Sequence, residues 1–453
     1  MSQTIRDLDP DSMIRSPGLT YQQLLDQDTK PVPDVLRQQS PKFLGDEDIA
    51  IERYISKEWH DLEVERLWKR VWQMACREED IPQPGDHHRY DIAGMSFIIV
   101  RVESGEIKAY PNACLHRGRM LKEFDGHAVE LRCPFHGFAW NLEGALIDIP
   151  ARWDFPHVED DKFALPELPL STWGGWVFIN PDVGCAPFDE FIAELANQFS
   201  RWDMSKLYKQ VHVASVIQAN WKIAQEAFCE AYHVSGTHPQ LLQSLGCVNS
   251  QVDIWENCSR VVTASLTPSP LIEKGSTDED ILRSMLDIPD GGPAPEVPEG
   301  MTLREWSAAA AREDLRADAG DIVDEYSDAE MLDSFDYTLF PNFHPWGAFN
   351  RIVYRFRPNG NDHRSSIMEV MLMAPFQGER PQSVPVHWLK EDEPWTNALG
   401  FLGKAFEQDM FNLPKVQQGL ESTHKPGITL SQYQESKVRW FHHKLTDWVK
   451  GAR

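Results

Sequence analysis

The feature that most constrains this chain is a pair of short arms, Cys114-x-His116 and Cys133-x-x-His136, with sixteen residues between them. Two thiolates and two imidazoles arriving as matched pairs is metal-ligand spacing, and their softness selects zinc or an iron–sulfur cluster. Structural zinc sites usually put cysteines on one arm and histidines on the other. Here each arm carries one of each. That pairing suits a two-iron cluster with unlike irons, one held by both thiolates and the other by both imidazoles. Neutral imidazoles in place of anionic thiolates raise the potential into roughly −150 to +300 mV, so such a cluster takes an electron from a reductase and still passes it on.

The flanks agree. Cys114-Leu115-His116-Arg117-Gly118 and Cys133-Pro134-Phe135-His136-Gly137-Phe138 resemble the two cluster-binding loops of the Rieske family, with glycine and proline placed to fold each loop tightly. On these arms alone, a zinc-stabilised binding module and a pure electron carrier both stay open, and the rest of the chain must separate them.

At 453 residues the chain is too long for one ordinary core. A net charge of −26 argues against nucleic acid and against anionic membrane surfaces, both of which need a cationic footprint. No apolar run approaches the ~20 residues of a membrane helix, and the polar start lacks a signal pattern. Seven cysteines, an odd number, do not suggest a disulfide framework, so a cytoplasmic setting is expected.

Organisation follows from periodicity and punctuation. Residues 1–45 are expected to form a proline-interrupted arm, 46–180 a cluster domain with a leading helix, and 181–453 a larger domain. The pattern Trp59, Leu62, Val64, Leu67, Val71, Trp72 predicts one amphipathic helix over 56–77. Strands are expected at Met95–Val102 and Trp173–Asn180, within a small all-β domain over about 75–180. Beyond it come a helix at 189–199, a strand near 210–218 and a helix from Asn220. Thr302 and Glu305 are spaced as a capping box. Strands at 351–357, 366–374 and 384–389 precede helices at 395–411 and 432–450, the last capped by Ser431 and Gln434. The class is α+β.

The segment from Asn220 to Pro239 carries the second set of candidate ligands. On one helix, Glu226, Glu230 and His233 would share a stripe. His238 lies five residues past His233, poor spacing for one face, with Gly236 between them to let it swing in from a distorted turn. Two imidazoles and a carboxylate leave open positions on Fe(II). Glu226 and Glu230 are nearby carboxylates; Glu407 and Asp409 lie far downstream, and spacing does not choose between them.

Asn220-Trp221-Lys222…Glu230-x-Tyr232-His233-x4-His238, followed by Gln408-Asp409, resembles the catalytic domain of ring-hydroxylating and demethylating Rieske oxygenases over about residues 50–445. The resemblance implies a small β Rieske domain joined to a helix-grip (START-like) catalytic domain. It implies a [2Fe–2S] cluster on Cys114, His116, Cys133 and His136, and a mononuclear iron on His233, His238 and Asp409. It also implies that Glu230 links the iron site to His136 of a neighbouring subunit in a homotrimer, with or without a β subunit. Two departures stand out: Gln225-Glu226 replaces a common Glu-Asn pair, and Glu230 is longer than the frequent Asp.

The implied function is hydroxylation, by one or two oxygen atoms, of an apolar aromatic or polycyclic substrate with O2. Oxidative demethylation or quaternary-amine oxygenation is the alternative. Electrons would come from NAD(P)H through a reductase or ferredoxin, since no Gly-x-Gly-x-x-Gly loop occurs here. Arg117, Arg119, Lys122 and Arg132 are expected to supply a local basic docking patch. Phe340, Phe343, Trp346, Met371 and Met373 are expected to wall the pocket, with His344 as a polar candidate.

Overall fold

In the computed structural model residues 6–7, 18–289 and 291–451 are described. The chain forms two compact units. The smaller comprises His60–Phe191 with Arg357–Asp362; the larger takes the chain up to Trp59, Ile192–Phe356, and His363 onward.

The small unit is built of short antiparallel strands. β1 (Gln73–Arg77), β2 (Asp86–Ile92), β3 (Met95–Arg101), β4 (Ile107–Pro111) and β5 (Gly126–His127) are followed by β6 (Leu131–Arg132), β7 (Ala139–Trp140), β8 (Leu146–Asp148), β9 (Leu170–Trp173) and β10 (Trp176–Ile179). They make three sheets, ordered β4-β3-β2-β5, β8-β7-β6 and β9-β10-β1. Ile98, Val100 and Tyr110 bury against Leu131, Phe138 and Trp140, and Cys114 and Cys133 share this core. The cluster loops are therefore anchored from below by packed apolar side chains.

Two local expectations need correction. The helix expected over 56–77 ends early: an α segment Lys57–Glu63 widens into a π turn at Val64–Trp68, and β1 follows. All five β1 residues are buried, so the helical period had already stopped at Trp72. The strand expected at 173–180 is half of a hairpin, turning at Gly174 and Gly175 with φ of +58° and +80°, where a side chain would be strained.

The large unit centres on an eight-stranded sheet. Its strands are β11 (Leu207–Ile217), β12 (Gln251–Ile254), β13 (Cys258–Thr263), β14 (Ser334–Leu339), β15 (Phe343–Pro345), β16 (Ile352–Asn359), β17 (Asp362–Pro375) and β18 (His387–Trp388), in the order β12-β13-β14-β15-β16-β17-β11-β18. Its principal helices are α1 (Phe188–Gln198), α2 (Trp221–Glu226), α3 (Val234–Thr237), α4 (Leu303–Ala319), α5 (Asp328–Leu332), α6 (Leu402–Ser422) and α7 (Ser436–Lys450). Alternation along the strands gives the sheet two distinct faces. Val213, Ile217, Tyr354, Phe356, Met368 and Val370 bury one face against Ile223 and Ala224 of α2 and Phe406 and Leu413 of α6.

Thr302 and Glu305 form the expected capping box on α4. At α7 the box is shifted by one residue: Ser431 Oγ accepts from the Glu435 amide and Glu435 accepts from the Ser431 amide, while Gln434 donates to the Val248 carbonyl. The strand expected over 384–389 shrinks to His387–Trp388 at the sheet edge, because Pro385 has no amide to donate. The helix expected over 395–411 breaks at Gly400, which has φ +57°, and α6 then continues through Pro414 to Ser422.

The described part of the amino-terminal arm is stitched down. Fully buried Arg260 on β13 donates to the Val35 and Gln38 carbonyls at 2.7 and 2.8 Å while its Nε binds Asp253 at 2.8 Å. Tyr21 donates to Asp333, and Thr29 to Asp328. Apart from Arg260–Asp253, these bonds each bridge more than two hundred residues of sequence.

Candidate metal centres

In the small unit, the loop after β4 and the loop between β6 and β7 repeat one construction. The Gly118 amide donates to the Cys114 carbonyl at 2.8 Å, and the Gly137 amide to the Cys133 carbonyl at 3.0 Å. Both glycines are left-handed, with φ of +78° and +84°. Each loop thus curls back on its own cysteine and presents a histidine two or three residues later. The Cys114 and Cys133 thiols lie within hydrogen-bonding reach, and burial, then the facing thiol, holds the Cys114 thiol above its ordinary range. The His116 and His136 rings meet edge to face at 4.8 Å. His116 stacks on Phe138 at 4.5 Å, yet its buried Nδ1 has no partner. Paired thiols, paired imidazoles and an orphaned ring nitrogen fit a two-iron cluster bound through four side chains.

The expected basic patch is largely neutralised locally. Arg119 pairs with Glu123 and Arg132 with Glu130 and Asp148, while Lys122 donates to the Glu130 carbonyl. Arg117 lies over the exposed Phe135 ring.

In the large unit, α2 stops at Glu226, so the single helix expected to carry Glu226, Glu230 and His233 does not form. The chain runs irregularly to His233, makes the one-turn α3, and delivers His238 at its end with φ −124° and ψ +53°. The two carboxylates consequently part company. Glu226 accepts from Tyr54 at 3.0 Å and from His442 of α7 at 2.7 Å. Glu230 accepts from the His233 amide at 2.8 Å and pairs with its Nδ1 at 2.9 Å.

Asp409 comes from the face of α6 that packs inward and is 5% exposed. Its Oδ1 lies 3.0 Å from His238 Nε2 and 3.8 Å from His233 Nε2. One ligand atom from each of the three side chains falls within 4.8 Å of the others. The second nitrogens are occupied: Glu230 takes His233 Nδ1, and the Gln408 amide oxygen accepts from His238 Nδ1 at 2.7 Å. Both imidazoles are thereby held with Nε2 forward, the arrangement that metal-binding histidines require. Burial pulls the His233 imidazole down, but the Glu230 hydrogen bond and the Glu230 and Asp409 charges outweigh it and leave its pKa raised. Glu407 turns instead to Thr396.

Sequence reasoning missed Gln408 as the partner of His238, although it adjoins Asp409. It also missed an aromatic group beside the triad: Phe228, Tyr354, Phe356 and Phe406, with ring centroids 5.1–6.1 Å apart. Phe228, two residues before Glu230, and Phe406, one turn before Asp409, were the available signal. The five expected pocket residues are not brought together. Phe343 is paired with Arg355, and Met371 and Met373 alternate with Val370 and Leu372, so these three face away from α2 and α6. Phe340 packs among Trp440, Phe441 and Trp448 of α7. Only Trp346 lies on the α2–α6 face, against Tyr354.

Comparison with known proteins agrees with this division of labour. Residues 71–159 match the Rieske [2Fe-2S] domain, and residues 197–451 match the family described as ring hydroxylating alpha subunit (catalytic domain). A glycine betaine monooxygenase oxygenase subunit of Pseudomonas aeruginosa is 27% identical over 197 residues, 42% of this chain and 45% of that protein. A chlorobenzene dioxygenase subunit alpha of Cupriavidus sp. is 27% identical over 196 residues, 41% of this chain and 42% of that one. The match thus spans less than half the length of these curated relatives. The fold resembles the quaternary ammonium Rieske monooxygenase CntA, with a TM-score of 0.62 at 17% identity over 88% of this chain and 95% of that one. It resembles naphthalene 1,2-dioxygenase with indole bound equally well, with a TM-score of 0.62 at 18% identity over 90% and 93%. With its catalytic domain matched along more than half of its length, this chain belongs to the ring-hydroxylating alpha subunit family and carries a Rieske domain ahead of that catalytic domain.

Proposed function

We propose that the chain is a terminal oxygenase that uses O2, and electrons delivered from NAD(P)H through a reductase or ferredoxin, to hydroxylate an apolar aromatic or polycyclic substrate. The observation that carries this is the presence of two chemically different donor sets on one chain, a thiolate–imidazole pair of loops and a two-histidine, one-carboxylate group. An electron carrier or a zinc-stabilised module has use for the first alone.

In this reading Cys114, Cys133, His116 and His136 hold a [2Fe–2S] cluster, and His233, His238 and Asp409 hold a mononuclear Fe(II). When bound, the cluster passes single electrons and the mononuclear iron supplies the oxygen chemistry. The remaining tasks fall to the chain itself. Gln408 and Glu230 fix the tautomers of the two imidazoles. Phe228, Tyr354, Phe356 and Phe406 provide an apolar wall that excludes water and favours a flat ring. Glu230, bonded to His233, carries the link toward His136 contributed by a second copy of the chain. A homotrimer, alone or with a β subunit, is the assembly this requires, and a cytoplasmic location suits its redox partners.

A quaternary-amine monooxygenase or demethylase is the second reading, supported by the glycine betaine monooxygenase relative and by the same rings, whose faces attract cations. The purified protein is expected to be coloured, with about three irons per chain, and to consume O2 with a surrogate reductase when offered members of an aromatic, steroid-like or methylated-amine panel. A colourless zinc protein, or one with two irons and no substrate-dependent uptake, refutes the proposal.

A further inference from the structure

Beside the aromatic group, three polar atoms able to donate have no hydrogen-bond partner among the described residues, and one acceptor, Asp336 Oδ1 opposite Trp346, is unpaired too. His344 is fully buried, yet its Nε2 is unpaired, and the buried Nε1 of Trp346 is likewise unpaired. Tyr354 is 3% exposed, and its hydroxyl makes no hydrogen bond. All three lie on one face of the sheet. His344 on β15 is directly opposite Tyr354 on β16, and directly opposed residues point the same way. Trp346, two residues past His344, meets Tyr354 edge to face at 5.9 Å.

That face is the one packed against α2 and α6, and α6 carries Asp409. Tyr354 contacts Phe228 and Phe406, which flank Glu230 and Asp409 in sequence, and burial, then the charges of Asp336 and Asp409, hold its phenol well above its ordinary range. His344 stands edge-on to Phe356 at 5.2 Å.

The chemistry of the set narrows what could satisfy it. An indole N–H only donates, and a phenol donates or accepts. His344 is a neutral ring here, because burial and nearby Lys437 push its pKa well below the ordinary value, and its Nδ1 is already taken by Thr338 at 2.8 Å. The Lys437 ammonium is engaged by Asp336 at 2.8 Å. The three atoms therefore offer donors and no uncommitted cation, and the unpaired Asp336 Oδ1 beside them belongs to a carboxyl whose other oxygen already holds Lys437. A bare hydrocarbon would leave buried donors unpaired, a quaternary ammonium brings no acceptor, and a carboxylate would shed its hydration without a counter-charge.

We propose that His344, Trp346 and Tyr354 form a polar subsite that selects aromatic substrates bearing a neutral oxygen acceptor, a ketone, ether or hydroxyl, on or beside the ring. This rests on the oxygenase reading, whose substrate side it describes.

The test is binding, measured by calorimetry on Fe(II)-loaded protein without reductase, using indane, 1-indanone and phenyltrimethylammonium. 1-Indanone is expected to bind at least about tenfold more tightly than either, a difference of about 1.4 kcal/mol. Tyr354→Phe and Trp346→Phe keep ring bulk, and each should shrink the indanone-to-indane ratio by about threefold or more. Equal affinity for the two, tightest binding of phenyltrimethylammonium, no detectable binding of 1-indanone, or an undiminished ratio in both variants overturns the subsite. Iron content separates the two failures. Protein that does not take up its iron refutes the oxygenase reading, whereas fully loaded protein that ranks the probes wrongly refutes the subsite alone.

Discussion

Replacing Gln408 with leucine isolates the contribution of a residue that touches no metal. The Gln408 amide oxygen accepts from His238 Nδ1 at 2.7 Å and from Gln240 at 2.7 Å. In Gln408→Leu the His238 Nδ1–H loses its acceptor inside a residue only 3% exposed. A buried donor left unpaired costs about 1–3 kcal/mol. The ring escapes that cost by shifting its proton to Nε2, which then donates to Asp409 and has no lone pair left for iron. Either way the penalty falls on metal binding, and its size corresponds to the ~10–100-fold loss typical of such partners. The assay is Fe(II) affinity by competition with a chelator, with the visible spectrum of the cluster as an internal control of folding. Gln408→Glu retains the acceptor and should hold iron at least as well as the parent. A leucine variant whose Fe(II) affinity stays within about twofold would show that Gln408 does not orient His238.

Three further outcomes are expected. Glu230→Gln keeps an acceptor for His233 but removes the charge, so both metals should remain while single-turnover substrate oxidation slows by about 10–100-fold; an unchanged rate would detach Glu230 from the electron path. Glu226→Leu removes the acceptor shared by Tyr54 and His442, and should lower the urea stability by about 1–3 kcal/mol with iron content intact, since Glu226 is engaged by Tyr54 and by His442 of α7 and stands outside the His233, His238 and Asp409 group. Loss of iron in that variant would contradict the structure. Burial pushes the Asp336 carboxyl up to about 6 despite Lys437, so protonation favours the folded state. Its stabilising contribution is full below about pH 4 and fades as pH rises through 6. Asp336→Asn should accordingly flatten the pH dependence of the urea midpoint across that window, and identical slopes would rule this out.

The cluster loops were the most legible part of the sequence, because their candidate ligands, glycines and prolines are all local. Chemistry could be read from spacing, and Gly118 and Gly137 stand where the turns need them. The candidate iron site was legible only in pieces. His233 and His238 are close in sequence, but Asp409 arrives from a helix whose inward face no periodicity distinguishes from the face carrying Glu407. Helical spacing grouped Glu226 with Glu230, and the early end of α2 separates them. The partners of Glu226, Tyr54 and His442, lie 172 and 216 residues away, so nothing local announced them. The pocket wall was the least legible, because strand alternation decides it. Met371 and Met373 are as apolar as Met368 and Val370, and only the register of β17 against β11 assigns them to the opposite face.

The stitched amino-terminal arm has a consequence for how the chain is made. Tyr21 and Asp333 are 312 residues apart. At about 5–20 residues per second the arm leaves the ribosome roughly 15–60 s before Asp333 exists. Arg260, which will hold the Val35 and Gln38 carbonyls, follows the arm by more than two hundred residues. The segment from Tyr21 to Gln38 therefore docks long after it is made, and it waits with its polar backbone open to chaperones. The large sheet can take up Tyr21 only once Asp333 has been made.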